Sequence, residues 1–513
     1  MKNTIKIFAL LVAVGLVSCD PEFEQSVEDS GFYDSGSADF SNYVAVGNSL
    51  TAGYADNALY ITGQENSYPN IMAEQFLLVG GGEFTQPYMD DNLGGLLLNG
   101  TQITSNRLVL AADPMTGAPL GPVILDGTPT TDVATSAAGP YNNMGVPGAK
   151  SFHLNADGYG NAAGIPSGSA NPYYARFATS ENANVISDAA SMNPTFFSLW
   201  IGNNDVLSYA TSGGAGVDQT GNFDPTSYGS TDITDPNVFA ASYNAQVDAL
   251  MASASGGVLV NIADITSIPY FTTVPAQSIP LDAATAAQLN AQFAQYNDVI
   301  LPTLVTFGVI SPEEAAARQI NFMAGVNFPI ITDDDLTDVS MVLQGPPGNL
   351  PPELANLLGQ LRQANADDLV LLPASSVLGT QADPNNPLAI FGVSVPLVDG
   401  LVLTAVEQGR VAAATAAYNG VIAGLASANG LGLADAKSAL AAVATTGVGY
   451  NGGLLTSTYV TGGAFSLDGV HPTARGYAYT ANKIIDQINQ TYGATIPNVD
   501  IGNYGTITLA NNL

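Results

Sequence analysis

The stretch Tyr43-Val44-Ala45-Val46-Gly47-Asn48-Ser49-Leu50-Thr51-Ala52-Gly53-Tyr54 decides the fold. Its first four residues are a short apolar run, the mark of a strand covered on both faces. Gly47 permits a sharp turn, and Ser49 opens the next segment. Two further runs repeat the pattern: Phe196-Phe197-Ser198-Leu199-Trp200-Ile201 before Gly202, and Gly257-Val258-Leu259-Val260-Asn261-Ile262. Helical patterns lie between them. Asp235-Pro236 reads as an N-cap with Pro at the first helical position, followed by Phe239, Tyr243, Val247 and Leu250 at helical spacing. Ser311-Pro312-Glu313-Glu314 opens another helix the same way, with Glu314 placed for a capping box. Residues 404–426 are Ala-rich and helical, stopping near Asn429-Gly430. Residues 473–492 form the last helix, with Ala481, Ile484 and Ile488 on one face and Gly493 as its stop. Strands alternating with helices predict an α/β fold around a parallel sheet. Two regions, about 77–140 and 277–400, exceed a minimal sheet and read as insertions.

Composition narrows the function. The chain has 513 residues, 44 acidic and 11 basic, with a net charge of −33. It is 46% hydrophobic, too apolar for a disordered chain. The charge argues against nucleic acid as a partner, which needs clustered Lys and Arg, and against electrostatic docking on anionic lipid. A single Cys excludes a disulfide framework and a multi-cysteine metal site. Only His153 and His471 are available as a histidine base.

That Cys stands at the end of a leader. Lys2 and Lys6 precede an apolar run from Ile7 to Val17, too short for a stable span but right for a signal segment. The run ends in Leu16-Val17-Ser18-Cys19, which resembles the lipobox of bacterial lipoproteins. The resemblance implies removal of residues 1–18 and acylation of Cys19. The acyl chains then anchor the protein, each buried CH₂ contributing about 0.8 kcal/mol. Residues 19–41 read as a flexible tether and 42–513 as the folded domain. The expected location is the bacterial cell envelope, at the outer membrane, facing the periplasm or the surface.

Three short motifs fall at the ends of the predicted elements. Ser49, in Gly47-Asn48-Ser49-Leu50, sits at a strand-to-helix turn on the carboxyl edge of the sheet, where α/β proteins bind ligands. Backbone N–H groups at such a turn favour a developing oxyanion. Alone, a Ser there is more often just a helix N-cap. Gly202-Asn203-Asn204-Asp205 follows the second long strand and places a side-chain amide at the same edge, although an isolated Asn-Asp pair usually makes an Asx-turn. Asp468-Gly469-Val470-His471-Pro472 precedes the last helix, with a carboxylate three residues ahead of a His that it can orient. A surface turn is the ordinary reading, weakened because the chain has so few His.

Together these motifs resemble the SGNH hydrolases, the GDSL family of esterases and lipases, in the same chain order. The remaining glycine block is met by Asn143-Met144-Gly145-Val146-Pro147-Gly148-Ala149, with Gly148 the better match and Gly145 the alternative. The resemblance implies a three-layer α/β/α sandwich and the catalytic set Ser49 (nucleophile), His471 (base, then acid) and Asp468 (orienting carboxylate). It implies an oxyanion hole from the backbone N–H of Ser49 and Gly148 and the side chain of Asn204. No cofactor and no metal are implied. The family's first block usually carries Asp before the Ser, where this chain has Asn48. The motifs cover about two dozen residues, and the 277–400 insertion is not explained by them.

The implied reaction is acyl transfer to Ser49 and then to water. The substrate is an ester, either of a lipid or of an acylated glycan. Leu350, Leu354, Leu357, Leu358, Leu361 and Leu369–Leu372 form either a lid or acyl-binding wall, or a helical subdomain with its own core. Two other functions fit the same residues: a non-catalytic glycan- or lipid-binding surface lipoprotein, and a transacylase. His153, close to Gly148 in sequence, either lines the site or, as such a residue more often does, plays a surface or structural role. Asp333-Asp334-Asp335 with Asp338 offers carboxylates for Ca²⁺, but without the Gly-punctuated spacing of a calcium loop it reads as a solvated acidic loop.

Overall fold

The computed structural model describes residues 32–510 apart from 114, 136 and 347. The leader, Cys19 and the tether as far as residue 31 lie outside the described residues.

Five parallel strands make the central sheet: β1 (Tyr43–Gly47), β2 (Asn143–Gly145), β3 (Phe196–Trp200), β4 (Gly256–Val260) and β5 (Gly432–Ala434), in the order β5-β4-β3-β1-β2. Every residue of β1, β3 and β4 is buried, as expected of parallel strands covered on both faces. The register sets Gly47 between Gly145 and Trp200, so three strand ends meet at one point of the carboxyl edge.

Helices flank both faces, compatible with a three-layer arrangement. The short α1 (Ser49–Ala52) leaves β1 directly. One face carries α2 (Tyr68–Phe76), and later α7 (Ala436–Thr445) and α8 (Ala474–Tyr492); α8 packs on α2, α7, β4 and β5. The other carries α3 (Val185–Ser191), α4 (Asn204–Thr211), α5 (Pro236–Met251) and α6 (Ala405–Asn429). Side-chain chemistry sets their ends. Asp235 caps α5 through the N–H of Asn237 and Val238, and Phe239, Tyr243, Val247 and Leu250 are its buried stripe. Thr404 and Glu407 cap α6 reciprocally, and Gly430 ends it in the left-handed conformation. By length and composition α6 is apolar enough to cross a membrane, but Val411, Ala414, Tyr418, Ile422 and Ala426 bury one face of it in the domain core. Ser311 caps a helix at Pro312–Ala317, but Glu314 turns its carboxylate to Arg318 and Thr337 instead of completing a capping box.

The folded domain starts before residue 42. Asp34 and Thr495 exchange backbone hydrogen bonds with each other's backbone or hydroxyl, Ser37 N–H donates to Tyr492, and Phe40 is buried against Phe76 and Phe196. The end of the expected tether is thus a strap on α8, held by aromatic burial that its polar composition concealed. Residues 77–140 form two antiparallel hairpins, Leu97–Leu98 with Thr101–Gln102 and Leu108–Ala112 with Pro119–Ile124, before the chain enters β2. The 277–400 insertion has its own apolar core, including Leu289, Leu301, Leu304, Leu343 and Leu361. A second cluster around Ile331, Val370 and Leu397 joins it to the sheet domain. Of the leucines singled out in the sequence, Leu358 and Leu361 belong to the insertion's own core, Leu371 is buried in the core of the sheet domain, and Leu354 is exposed.

Candidate active site

Ser49 is the first residue of α1. The preceding Asn48 accepts the Leu50 N–H through Oδ1 (3.0 Å) and donates through Nδ2 to Asn203 Oδ1 (3.4 Å). Asn48 therefore makes the turn bond an Asp would make and adds a tie to the Asn203 loop. Gly47 is required by closeness: a Cβ there would lie 2.4 Å from the Trp200 carbonyl and 2.2 Å from Thr51 Oγ1. The sequence reading assigned this glycine to the sharpness of the turn; the steric squeeze between β3 and α1 is what demands it. At four residues, α1 has little macrodipole, so any anion stabilisation here comes from individual N–H groups.

His471 and Asp468 reach Ser49 from the loop before α8. His471 Nε2 is 2.9 Å from Ser49 Oγ, and His471 Nδ1 is 2.9 Å from Asp468 Oδ2. Asp468 also accepts the N–H groups of Val470, His471 and Asn57 and the Ser466 hydroxyl. Burial alone would raise its pKa; the charge and hydrogen bonds of His471, with the Val470 N–H, overcome burial and hold it at about 2. The carboxylate thus stays ionised, a hydrogen-bond acceptor fixed on Nδ1. The Tyr54 ring packs on the imidazole, with centroids 4.7 Å apart.

Sequence reasoning missed the layer behind this pair. Asp56 is buried, accepts from the Leu467 N–H (3.0 Å) and Tyr60 hydroxyl (2.8 Å), and its own N–H donates to Ser466 Oγ (2.9 Å). Ser466 in turn donates to Asp468. Burial pushes Asp56 up to about 6, with the Leu467 and Tyr60 hydrogen bonds opposing it. The loop after α1 and the loop before α8 are thereby bolted together across some 400 residues of sequence. Proximity of an Asp to the first motif was the only available signal.

Asn204 opens α4, lines the same cavity as Ser49, and donates from Nδ2 to the Ala149 carbonyl (2.9 Å). An amide carries two hydrogens, so one remains for a ligand. Gly148 adopts φ = +80°, which glycine tolerates best. Among the described residues, neither the Ser49 nor the Gly148 backbone N–H makes a hydrogen bond, whereas Gly145 N–H is spent on Asn143 Oδ1 (3.0 Å). Of the two glycines, Gly148 is thus the one with an uncommitted N–H, although neither lines the cavity beside Ser49. Asp205, beside Asn204, is wholly buried and takes both the N–H and the hydroxyl of Ser151, tying the two donor loops together. His153 is away from the cavity lining: its Nδ1 accepts the Lys150 N–H (3.0 Å) and its ring stacks on Tyr159.

A cavity of about 120 Å³ extends from Ser49. Its wall is mostly apolar and comes from Trp200 and Leu207, from Val260, Ile265 and Ile268, from α7 (Ala439, Leu440, Val443), and from Leu455, Phe465 and Ile484. No residue of 277–400 lines it, so the acyl-wall reading of those leucines is not met. Leu372 instead buttresses the Asp468–His471 loop from outside, where a Cβ on Gly469 would lie 3.0 Å from it.

The acidic run is not simply solvated. Asp333 is buried and paired with Arg362, and Asp335 pairs with Arg410.

Searches against protein-family models, curated proteins and solved structures found no match.

Proposed function

We propose that the chain is a serine ester hydrolase of SGNH type, anchored in the bacterial cell envelope through acylated Cys19. One observation carries this reading: the unbroken relay of 2.9 Å from Ser49 Oγ to His471 Nε2 and 2.9 Å from His471 Nδ1 to Asp468. A serine hydroxyl is a poor nucleophile until a base takes its proton, and a base needs its tautomer fixed.

In the proposed reaction His471 Nε2 accepts the Ser49 proton as Oγ attacks the ester carbonyl. Asp468 stabilises the imidazolium through Nδ1–H. The tetrahedral oxyanion takes hydrogen bonds from the N–H of Ser49 and Gly148 and the free N–H of Asn204. Collapse expels the alcohol, protonated by His471. Water, deprotonated by the same ring, then releases the acid. The apolar cavity takes the acyl chain, which favours lipid or other medium- to long-chain esters over acetylated glycans.

The test is hydrolysis of p-nitrophenyl esters, acetyl through palmitoyl, by the chain starting at Asp20. Turnover should depend on Ser49 and favour chains longer than acetyl. Near-normal turnover by Ser49→Ala would overturn the mechanism. A strict preference for acetate would keep the enzyme but refute the assignment of the cavity.

A further inference from the structure

Where the 277–400 insertion returns to the sheet domain, three carboxylates converge. Asp334 follows the strand Ile330–Thr332, Asp399 opens the turn Asp399–Leu401, and Glu407 lies in the first turn of α6. One carboxylate oxygen from each lies within 4.8 Å of the other two. The environment grades from solvent to interior: Asp334 is exposed, Asp399 half-buried and Glu407 0% exposed.

Glu407 supplies a second, separate observation. Its Oε2 accepts the Thr404 N–H (2.6 Å), but its Oε1 is buried and accepts nothing. Gly214 makes room for this oxygen, since a Cβ there would lie 1.9 Å from it. A buried carboxylate oxygen without a donor or counter-charge is costly, and such groups are held by a cation or kept neutral. The nearby arginines are committed elsewhere: Arg362 to Asp333 and Asp368, Arg410 to Asp335 and the Tyr209 hydroxyl. Among the described residues no Lys or Arg forms an ion pair with Asp334, Asp399 or Glu407. Burial first, and the neighbouring carboxylates after it, push Asp399 up to about 7 and Glu407 up to about 8.

We propose that Asp334, Asp399 and Glu407 bind a divalent cation of the calcium type, which clamps the insertion to the N-terminal turn of α6. Calcium is held by oxygen ligands at roughly 2.3–2.6 Å, so two ligands of one ion stand at most about 5 Å apart, the spacing these oxygens have. The donor set has no imidazole or thiolate, which disfavours zinc. Calcium tolerates a flexible, loosely spaced set of oxygen ligands, whereas magnesium demands near-ideal octahedral geometry at shorter distances, so this carboxylate set suits calcium better. None of the three residues lines the Ser49 cavity, so the ion fastens the subdomain and takes no part in ester chemistry.

The test is calcium titration of the chain starting at Asp20, freed of metal with EDTA, at about pH 8.5, by calorimetry and by thermal unfolding. One Ca²⁺ should bind per chain. At 100 times its Kd it should raise Tm by about 3 °C, with a smaller rise for Mg²⁺ at the same concentration. Asp399→Asn and Glu407→Gln should each abolish the rise. Asp399→Asn should also raise Tm in EDTA, because it removes a repelled charge, and so reports even if the Glu407 variant fails to fold. Absence of binding by the wild-type chain, or a calcium response that survives Asp399→Asn, would overturn the proposal.

Discussion

Ala439 offers a way to separate the proposed acyl cavity from the proposed Ser49–His471–Asp468 relay. It sits on α7, in the cavity wall, away from the loops that carry Ser49, His471 and Asp468. Ala439→Phe adds a phenyl ring to a space of about 120 Å³, close to the roughly 150 Å³ that accepts a benzene molecule in an engineered apolar cavity. The ring should therefore occupy the volume meant for the acyl chain. Each methylene moved from water into such a wall contributes about 0.8 kcal/mol, or about fourfold in kcat/KM when that burial is retained in the transition state. In the wild-type chain, kcat/KM should climb by about that factor per methylene from acetyl until the cavity is filled. In Ala439→Phe the climb should flatten, with three to four lost methylenes amounting to about 10²-fold on the longer esters and little change on acetate. The assay is kcat/KM for the p-nitrophenyl series, with circular dichroism to establish folding. An equal loss on acetate and on long chains would place the damage in the relay. Unchanged long-chain preference would show that the acyl group binds elsewhere.

Other outcomes follow from the same geometry. Asn204→Ala should lower kcat by about 10²–10³ with the fold intact, read from steady-state kinetics. Asp468→Asn should lower kcat by about 10⁴, because an amide no longer holds Nδ1–H as an ionised acceptor. The third concerns stability. Burial, then the nearby Lys150 charge, lowers His153 to about 4 from its ordinary 6.5. Between those values the unfolded chain takes up a proton that the folded chain refuses. Stability from this residue is therefore complete above pH 6.5 and falls by up to about 3 kcal/mol as pH drops to 4. Denaturant unfolding should show a shallower acid decline for His153→Gln than for wild type; identical declines would refute it.

Much of this could be read before any coordinates. β1, β3 and β4 were visible because each is an apolar run long enough to stand out. β2 (Asn143-Met144-Gly145) and β5 (Gly432-Leu433-Ala434) were not, being three residues long and carrying glycine, so only their neighbours in the sheet define them. Helices with a capped start, α5, α6 and α8, the last two also with a glycine stop, were visible for local reasons. α7 was not, since its short Ala-rich pattern has no strong apolar stripe. The motifs pointed to Ser49, Asp468 and His471 because each belongs to a short segment whose chemistry is local. The cavity wall is assembled from five segments between Trp200 and Ile484, a juxtaposition no local pattern encodes. For the same reason the sequence could not decide whether the leucines of 350–372 form an acyl wall, and none of them lines the cavity.

The most direct test of the catalytic reading is covalent labelling. The chain starting at Asp20 would be treated with an alkyl fluorophosphonate, digested, and mapped by mass spectrometry. The account predicts one phosphonate adduct, on the Ser49 peptide, lost in Ser49→Ala and strongly slowed in His471→Ala. Failure of the wild-type chain to form an adduct, or an adduct on another residue that persists in Ser49→Ala, would contradict it.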